Sequence, residues 1–278
     1  MAKALIMEDL SALNQISSLA AVPLLTAQGH QPALLPTVML STQTEGFGQP
    51  AQQALTTFID ATLQHWQTLA VNFAGLLIGY VGNAQLLMQL RKRLATMTIP
   101  IRVLDPVLGD NGKLYPGLTS ATVTAMQQML SQATVITPNW TELGWLVNQP
   151  WQRQPAISDL QRAMQTIQAC HPQLTVVVTG VHYERQVGCA WLEADQLRFI
   201  GTPPIPGHFY GTGDVFAALL LGYLLCDYPI AKAIQAAQAG VAFAVAASRT
   251  CTATERLDGL RLTALLQQLA KEGIQNEK

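Results

Sequence analysis

Residues 208–225 read HFYGTGDVFAALLLGYLL. An apolar run begins at Val215 and carries no charge through Leu225. Directly before it stand Gly211, Thr212, Gly213 and Asp214. A helix starting there would have N–H groups without intrahelical partners, and these carry partial positive charge. Glycines at its entrance let the main chain turn tightly and approach a ligand closely. Such a terminus is an anion site. Two plainer readings compete with this one. Asp214 could serve as an N-cap, where Asp is favoured, and the helix could be an ordinary buried core helix.

Outward from this stretch, short apolar strands alternate with helical patterns. Strands are expected at 3–7, 33–40, 75–80, 101–105, 133–137 and 174–180. Pro36 marks the second of these as an edge or an irregularity. Helices are expected near 15–28, ending at Gly29, and near 50–69, from 81 to 96, and near 119–131, 140–147 and 157–169. Residues 41–49 and 106–118 read as loops. The segments QVGCAWLE (186–193) and QLRFIGT (196–202), joined by Ala194-Asp195, read as a β-hairpin, so the sheet should turn antiparallel there. Helices near 213–226, 230–248 and 259–271 complete the chain. This alternation predicts an α/β fold with a mainly parallel sheet covered on both faces. Without a repeat or a Gly/Ser-rich linker, one domain over 1–278 is expected.

Composition narrows the function classes. Hydrophobic residues make up 49% of the chain and charged residues 12%, against roughly 25% charged in ordinary soluble domains. The formal net charge is −1. The densest basic cluster, Arg91-Lys92-Arg93, falls on an expected helix and reads as a solvated face, so no nucleic-acid partner is expected. Cys170, Cys189, Cys226 and Cys251 have neither metal nor redox spacing, which predicts free thiols in a reducing compartment. Glu8 and Asp9 interrupt any signal-peptide core. The longest uncharged apolar stretch, 215–226, is short of the roughly 20 residues that span a bilayer. A cytoplasmic protein without a membrane partner is the expectation.

In open α/β sheets ligands bind beyond the carboxyl ends of the strands. There the sequence places Asp9 and Ser11, Tyr80 and Asn83, Asp105 and Asp110, Thr137, Asn139 and Glu142, and Thr179. Each has a plainer role open to it. Asp105 could end a strand before Pro106, Thr137 and Asn139 could shape a turn around Pro138, and Glu142 could complement a helix dipole. Ser11 and Thr44 could be loop hydroxyls, and Tyr80 a core residue with a hydrogen-bonded tip. Lys113 reads as a solvated loop lysine. The chain has no P-loop motif, and Phe216 stands where a dinucleotide fingerprint needs its third glycine.

GTGD at the head of an apolar helix, DPVLGDNGKLY at 105–115 and TPNWTE at 137–142 together resemble the ribokinase-like superfamily. Within it they are most similar to the vitamin B6 kinases and the related hydroxymethylpyrimidine kinases. LLPTVMLSTQTEGFG at 34–48 is similar to a stretch of the pyridoxal and pyridoxamine kinases, in which a serine and a threonine precede an aromatic-glycine pair. The resemblance spans essentially the whole chain. It implies a three-layer sandwich and ATP-dependent phosphorylation of the 5′-hydroxymethyl group of pyridoxal, pyridoxine or pyridoxamine, with Mg²⁺ and commonly as a homodimer. It further implies that Asp214 is the catalytic base and that the amides of Gly211, Thr212 and Gly213 hold the moving phosphoryl group. Asp105, Thr137, Asn139, Glu142 and Thr179 would lie near ATP, and Tyr115 and Glu142 near the metal. Ser11, Thr44 and Tyr80 would line the substrate pocket.

DLSALNQISS at 9–18 lacks the glycine-rich turn usual after the first strand of pyridoxal kinases. It is more similar to the Asp-x-Ser of the hydroxymethylpyrimidine kinases without their glycines. A hydroxymethylpyrimidine kinase is therefore one alternative, and a non-catalytic small-molecule binding protein is another.

Overall fold

The computed structural model describes residues 1–276. The first half contains β1 (Lys3–Met7), β2 (Leu10–Ser11), α1 (Ser18–Ala27), β3 (Gln31–Leu34), β4 (Val38–Leu40), β5 (Gln52–Ala54) and α2 (Thr56–Thr68). It continues through β6 (Gly75–Ile78), α3 (Ala84–Leu94), β7 (Ile101–Leu104), β8 (Gly109–Asp110), β9 (Lys113–Leu114) and α4 (Ser120–Met129). The second half contains β10 (Val135–Ile136), α5 (Trp140–Leu146), α6 (Ile157–Cys170), β11 (Thr175–Tyr183), β12 (Gln186–Glu193) and β13 (Gln196–Thr202). It closes with α7 (Thr212–Leu225), α8 (Ile230–Ala247), α9 (Ala253–Arg256) and α10 (Thr263–Asn276).

Eight strands form the central sheet in the order β13-β12-β11-β10-β7-β6-β1-β3. From β3 to β11 every pairing is parallel, and β12 and β13 add antiparallel. The two hairpin turns, Glu184-Arg185 and Ala194-Asp195, each hold both residues at positive φ. That geometry matches the right-handed twist of the flanking strands. A small sheet, β2-β4-β5, and a two-stranded hairpin, β8-β9, stand outside the main sheet.

The strands are apolar because both faces are covered. Ala4 to Met7 in β1 and Leu76 to Ile78 in β6 are buried. Helices α1, α7, α8 and α10 pack together on one face, and α3, α4, α5 and α6 on the other. Asp60 of α2 pairs with Arg93 of α3 at 2.6 Å. Helix α7 is apolar all round because it is enclosed all round: Val215 through Leu221 are at most 2% exposed. It lies so close to the sheet that a Cβ at Gly75 would stand 2.8 Å from Leu221 Cδ1. Helix α8 has a length and composition that would also suit a membrane span; here it packs on α7, α10, β12 and β13.

Several expected boundaries need correction. The single strand at 33–40 is two strands in different sheets, with β3 beside β1 and β4 between β2 and β5. Pro36 lies in the break, where it has no N–H to give to a ladder. The helix expected from residue 50 starts at Thr56, because Gln52–Ala54 pair with β4. The strand at 75–80 stops at Ile78. The loop 106–118 contains the β8-β9 hairpin. The helix expected at 259–271 is α10, which starts at Thr263, and the short α9 before it is not expected from the sequence; Gly259, at φ +98°, lies between them. The four cysteines are unpaired.

Leu219 of α7 is fully buried, and a Cβ at Gly240 of α8 would lie 2.5 Å from its Cδ1. Leu219→Ala should destabilise the fold by about 2–5 kcal/mol in urea denaturation. Phe58→Ala, at a position 56% exposed, should change it by no more than about 0.5 kcal/mol.

Candidate active site

Helix α7 begins at Thr212, and its N-cap is Gly211 in the left-handed conformation, φ +79°. Asp214 is therefore the third helical residue and not the cap, which removes the N-cap reading. Among the described residues no protein acceptor takes the amide N–H of Thr212, Gly213 or Asp214. Gly211, Thr212, Gly213 and Asp214 all line one cavity of about 450 Å³, within the range of small-molecule sites. Glycine is required twice at this turn. Gly211 needs its positive φ, and a Cβ on Gly213 would crowd Asp105 Oδ2 at 3.3 Å.

The parallel strands deliver acids to this helix end. Glu8 and Asp9 follow β1, Asp105 follows β7, and Glu142 lies in the first turn of α5 after β10. All four are buried. Burial pushes the Asp214 carboxyl up to about 6, with the Ser17 backbone amide drawing it partly back. Burial and the neighbouring Asp214 push Asp105 up to about 8, against a smaller opposing effect of the Thr137 hydroxyl. Glu8 is held well above the usual carboxylate range by burial, then by Asp214, Asp9 and Asp105. Neither of its oxygens has a hydrogen-bond partner. It lies against Gly79, where a Cβ would come within 2.7 Å of Glu8 Oε1.

Of the other residues expected from the sequence, Thr44, Tyr80, Tyr115, Asn139 and Thr179 also line the cavity, as do Asp105 and Glu142. A bulge in β11 between Val178 and Val181, with Gly180 at φ +63°, sits where Thr179 meets the cavity. Asn139 and Glu142 cap α5 reciprocally: Glu142 N donates to Asn139 Oδ1 at 3.0 Å, and Asn139 N donates to Glu142 Oε2 at 2.8 Å. Glu142 Oε1 accepts from Leu108 N at 3.1 Å, which ties the 106–118 loop to the same point. The Tyr115 hydroxyl is held well above its ordinary range by burial and by Glu142.

Two expected residues stand behind the wall. Ser11 is fully buried and donates to Asp9 Oδ2 at 2.8 Å, and Asp9 faces the cavity in its place. Thr137 is buried and does not line the cavity, and its Oγ1, near enough to Asp105 to oppose the upward shift of that carboxyl, makes no hydrogen bond of normal geometry. Lys113 is exposed.

The structure adds Ser17, Glu45 and Tyr210, which the sequence did not single out, and brings His208 to the cavity. Ser17 lines the cavity with φ at +44°, a rare backbone state for a non-glycine residue. Glu45 faces the cavity half-buried. His208 and Tyr210, in edge-to-face contact at 4.4 Å, line it from the segment before α7.

No Lys or Arg is among the described residues lining the cavity, although several carboxylates are. Buried carboxylates without Lys or Arg partners are neutralised by protonation or by a bound cation. Among the described residues, no three His, Cys, Asp or Glu are already grouped to hold a metal. The donor set suits Mg²⁺, which uses one or two carboxylates together with its waters and phosphate oxygens. Asp105 and Glu142, which both line the cavity, are the residues that would hold such an ion.

The phosphomethylpyrimidine kinase family model matches residues 22–256. The crystal structure of pyridoxal kinase from Lactobacillus plantarum is 39% identical, covers 98% of each chain and superposes with a TM-score of 0.91. A candidate phosphomethylpyrimidine kinase from Bacteroides thetaiotaomicron, solved with pyridoxal, is 26% identical. It covers 97% of this chain and 96% of its own, with a TM-score of 0.89. A candidate pyridoxal kinase of Caenorhabditis elegans is 32% identical over 164 residues. That match takes in 55% of this chain and spans about half of the relative, 49% of its length. The mostly parallel sheet with its antiparallel edge is the ribokinase-like fold of these kinases, and the chain belongs to the phosphomethylpyrimidine kinase family.

Proposed function

We propose that this protein, acting as one kinase domain over 1–278, transfers the γ-phosphoryl group of ATP to the 5′-hydroxymethyl group of a B6 vitamer. The observation that carries the reading is the α7 entrance, where unpartnered amides and the Asp214 carboxylate share one cavity. Phosphoryl transfer passes through a loose transition state, so catalysis rests on positioning and charge stabilisation. Asp214, titrating near 6, is ionised at neutral pH and can accept the alcohol proton. The alcohol oxygen bonds to the γ-phosphorus as the bond to the departing ADP oxygen breaks. The amides of Thr212 and Gly213 face the charge on the transferring oxygens, and α7 adds its dipole. Mg²⁺, when bound with ATP, would neutralise phosphate charge. Asp105 and Glu142 would hold it, with Tyr115 nearby. Asn139 and Thr179 fit the ATP end of the cavity, and Thr137 supports Asp105 from behind. Thr44 and Tyr80 fit the alcohol end, where Ser11 acts through Asp9. A cytoplasmic homodimer without nucleic-acid or membrane partners is part of the same proposal.

The family description favours one second reading, the same transfer to a hydroxymethylpyrimidine. The similarity to a pyridoxal kinase over 98% of the chain supports the vitamer. A coupled ATP assay with pyridoxal, pyridoxine, pyridoxamine and hydroxymethylpyrimidine side by side decides between them. We expect turnover with at least one vitamer at a kcat/KM above that for the pyrimidine, and the reverse ranking overturns the assignment.

Asp214→Asn should lower kcat by about 10²- to 10⁴-fold, the range of general-base catalysis. Circular dichroism should show the fold intact. Wild-type turnover in the purified variant would remove Asp214 from its role.

The acidic cluster also makes stability depend on pH. Asp105 and Asp214 titrate near 8 and near 6 in the fold, against about 4 in an unfolded chain. The folded state thus binds their protons more tightly. Its advantage is complete below pH about 4 and is lost as pH rises through about 6 and then about 8. The melting temperature of the ligand-free protein should fall between pH 5 and pH 8.5. Asp105→Asn should flatten that fall, and ATP with Mg²⁺ should oppose it in wild type.

A further inference from the structure

Arg256, the last residue of α9, lies outside the cavity yet reaches the segment that leads into α7. Its Nη1 donates to the Pro206 carbonyl at 3.1 Å, and its Nη2 donates to the Arg249 carbonyl, just beyond α8, also at 3.1 Å. The guanidinium covers the Phe209 ring, with Cζ 4.1 Å from the centroid. Gly207 leaves room for it: its φ is +115°, and a Cβ there would stand 1.6 Å from Nη1. One side chain therefore fixes three successive parts of the loop that ends in Gly211. Pro204, Gly207, His208, Phe209 and Tyr210 of that loop all line the cavity.

The next residues grip two further segments of the site. The Leu257 carbonyl accepts from Gln43 Nε2 and from Asn14 Nδ2. Asp258 Oδ1 accepts from Asn14 Nδ2 at 3.2 Å, and the Asp258 carbonyl accepts from Gln15 N at 2.8 Å. Leu257 Cδ2 lies 2.3 Å from where a Gly46 Cβ would be. These contacts hold the segments that present Ile16 and Ser17, and Gln43, Thr44 and Glu45, to the cavity. The turn itself is rigid, with Thr252 and Glu255 capping α9 reciprocally.

We infer that Arg256 is a positioning residue for phosphoryl transfer, holding the 203–211 loop while Leu257 and Asp258 hold the alcohol-side segments, so that a single turn fixes three segments of the site relative to one another. The inference rests on the kinase reading proposed above. An error of about 1 Å in the placement of reacting groups costs as much as about 100-fold in rate. Arg256→Ala should lower kcat by about 10- to 100-fold and raise KM for ATP, while KM for the vitamer stays within about twofold. Arg256→Lys keeps a cation over Phe209 but loses the fork that reaches two carbonyls, and its effect should be intermediate. Gly207→Ala, which closes the space the guanidinium occupies, should reproduce the Arg256→Ala split.

Limited proteolysis with chymotrypsin supplies a readout independent of activity. In Arg256→Ala, cleavage after Phe209 and Tyr210 should be faster than in wild type. Unchanged kcat and KM for ATP, or an unchanged cleavage rate at these two residues, overturns the inference, even if the melting temperature falls. If wild type phosphorylates none of the four alcohols, the kinase reading fails, and the cleavage comparison still decides whether Arg256 holds the loop.

Discussion

Five carboxyl groups gathered about one cavity, with no Lys or Arg among the described residues lining it, are the constraint on which the rest of this structure depends. Glu8, Asp9, Asp105, Glu142 and Asp214 converge at the carboxyl edge of the sheet. An isolated ionised carboxylate is costly to bury, and several together repel one another. The protein answers with main-chain dipoles. Backbone amides serve Glu142, and the Ser17 amide opposes the upward shift of Asp214. The positive end of α7 faces the same space. The outcome is a cavity whose acids are met by main-chain N–H groups and a helix dipole.

That constraint orders the surrounding fold. α7 can bring its amides to the acids only because it is buried close against β6 and β7, and its apolar sequence is the condition for that. Gly75 permits the close approach, and Gly211 and Gly213 permit the turn and the contact with Asp105. The 106–118 loop is pinned to α5 through Glu142, so one carboxylate organises both the loop and the helix that follows β10. The segments bearing Ser11 and Thr44, proposed above to serve the alcohol, come from β2 and the β4-β5 region, outside the main sheet.

The alternation of strands and helices was readable because full burial of a strand on both faces leaves a continuous apolar run, as in Ala4–Met7. The β12-β13 hairpin was readable from two short strands and the residues between them. The GTGD turn was readable because only that combination puts free amides and an acid at one helix entrance. Other features depend on contacts distant in sequence. β5 is three exposed residues, and nothing but its pairing with β4 makes it a strand. Ser11 and Asp9 stand two apart, and which one faces the cavity is decided by the hydrogen bond between them and by the pairing of β2 with β4. The φ of Ser17 and the approach of His208 to Glu45 arise from tertiary packing, and local pattern carries no trace of them.

The contact between Glu8 and Gly79 has a consequence for how this sequence can drift. Here a carboxyl group rests on bare main chain, each from the residue just past one of two neighbouring strands. Any side chain at 79 collides with the acid at 8, whereas a shorter residue at 8 opens room for a methyl group at 79. The two positions are thus locked into joint exchange: related chains that carry alanine at the second should carry something smaller than glutamate at the first.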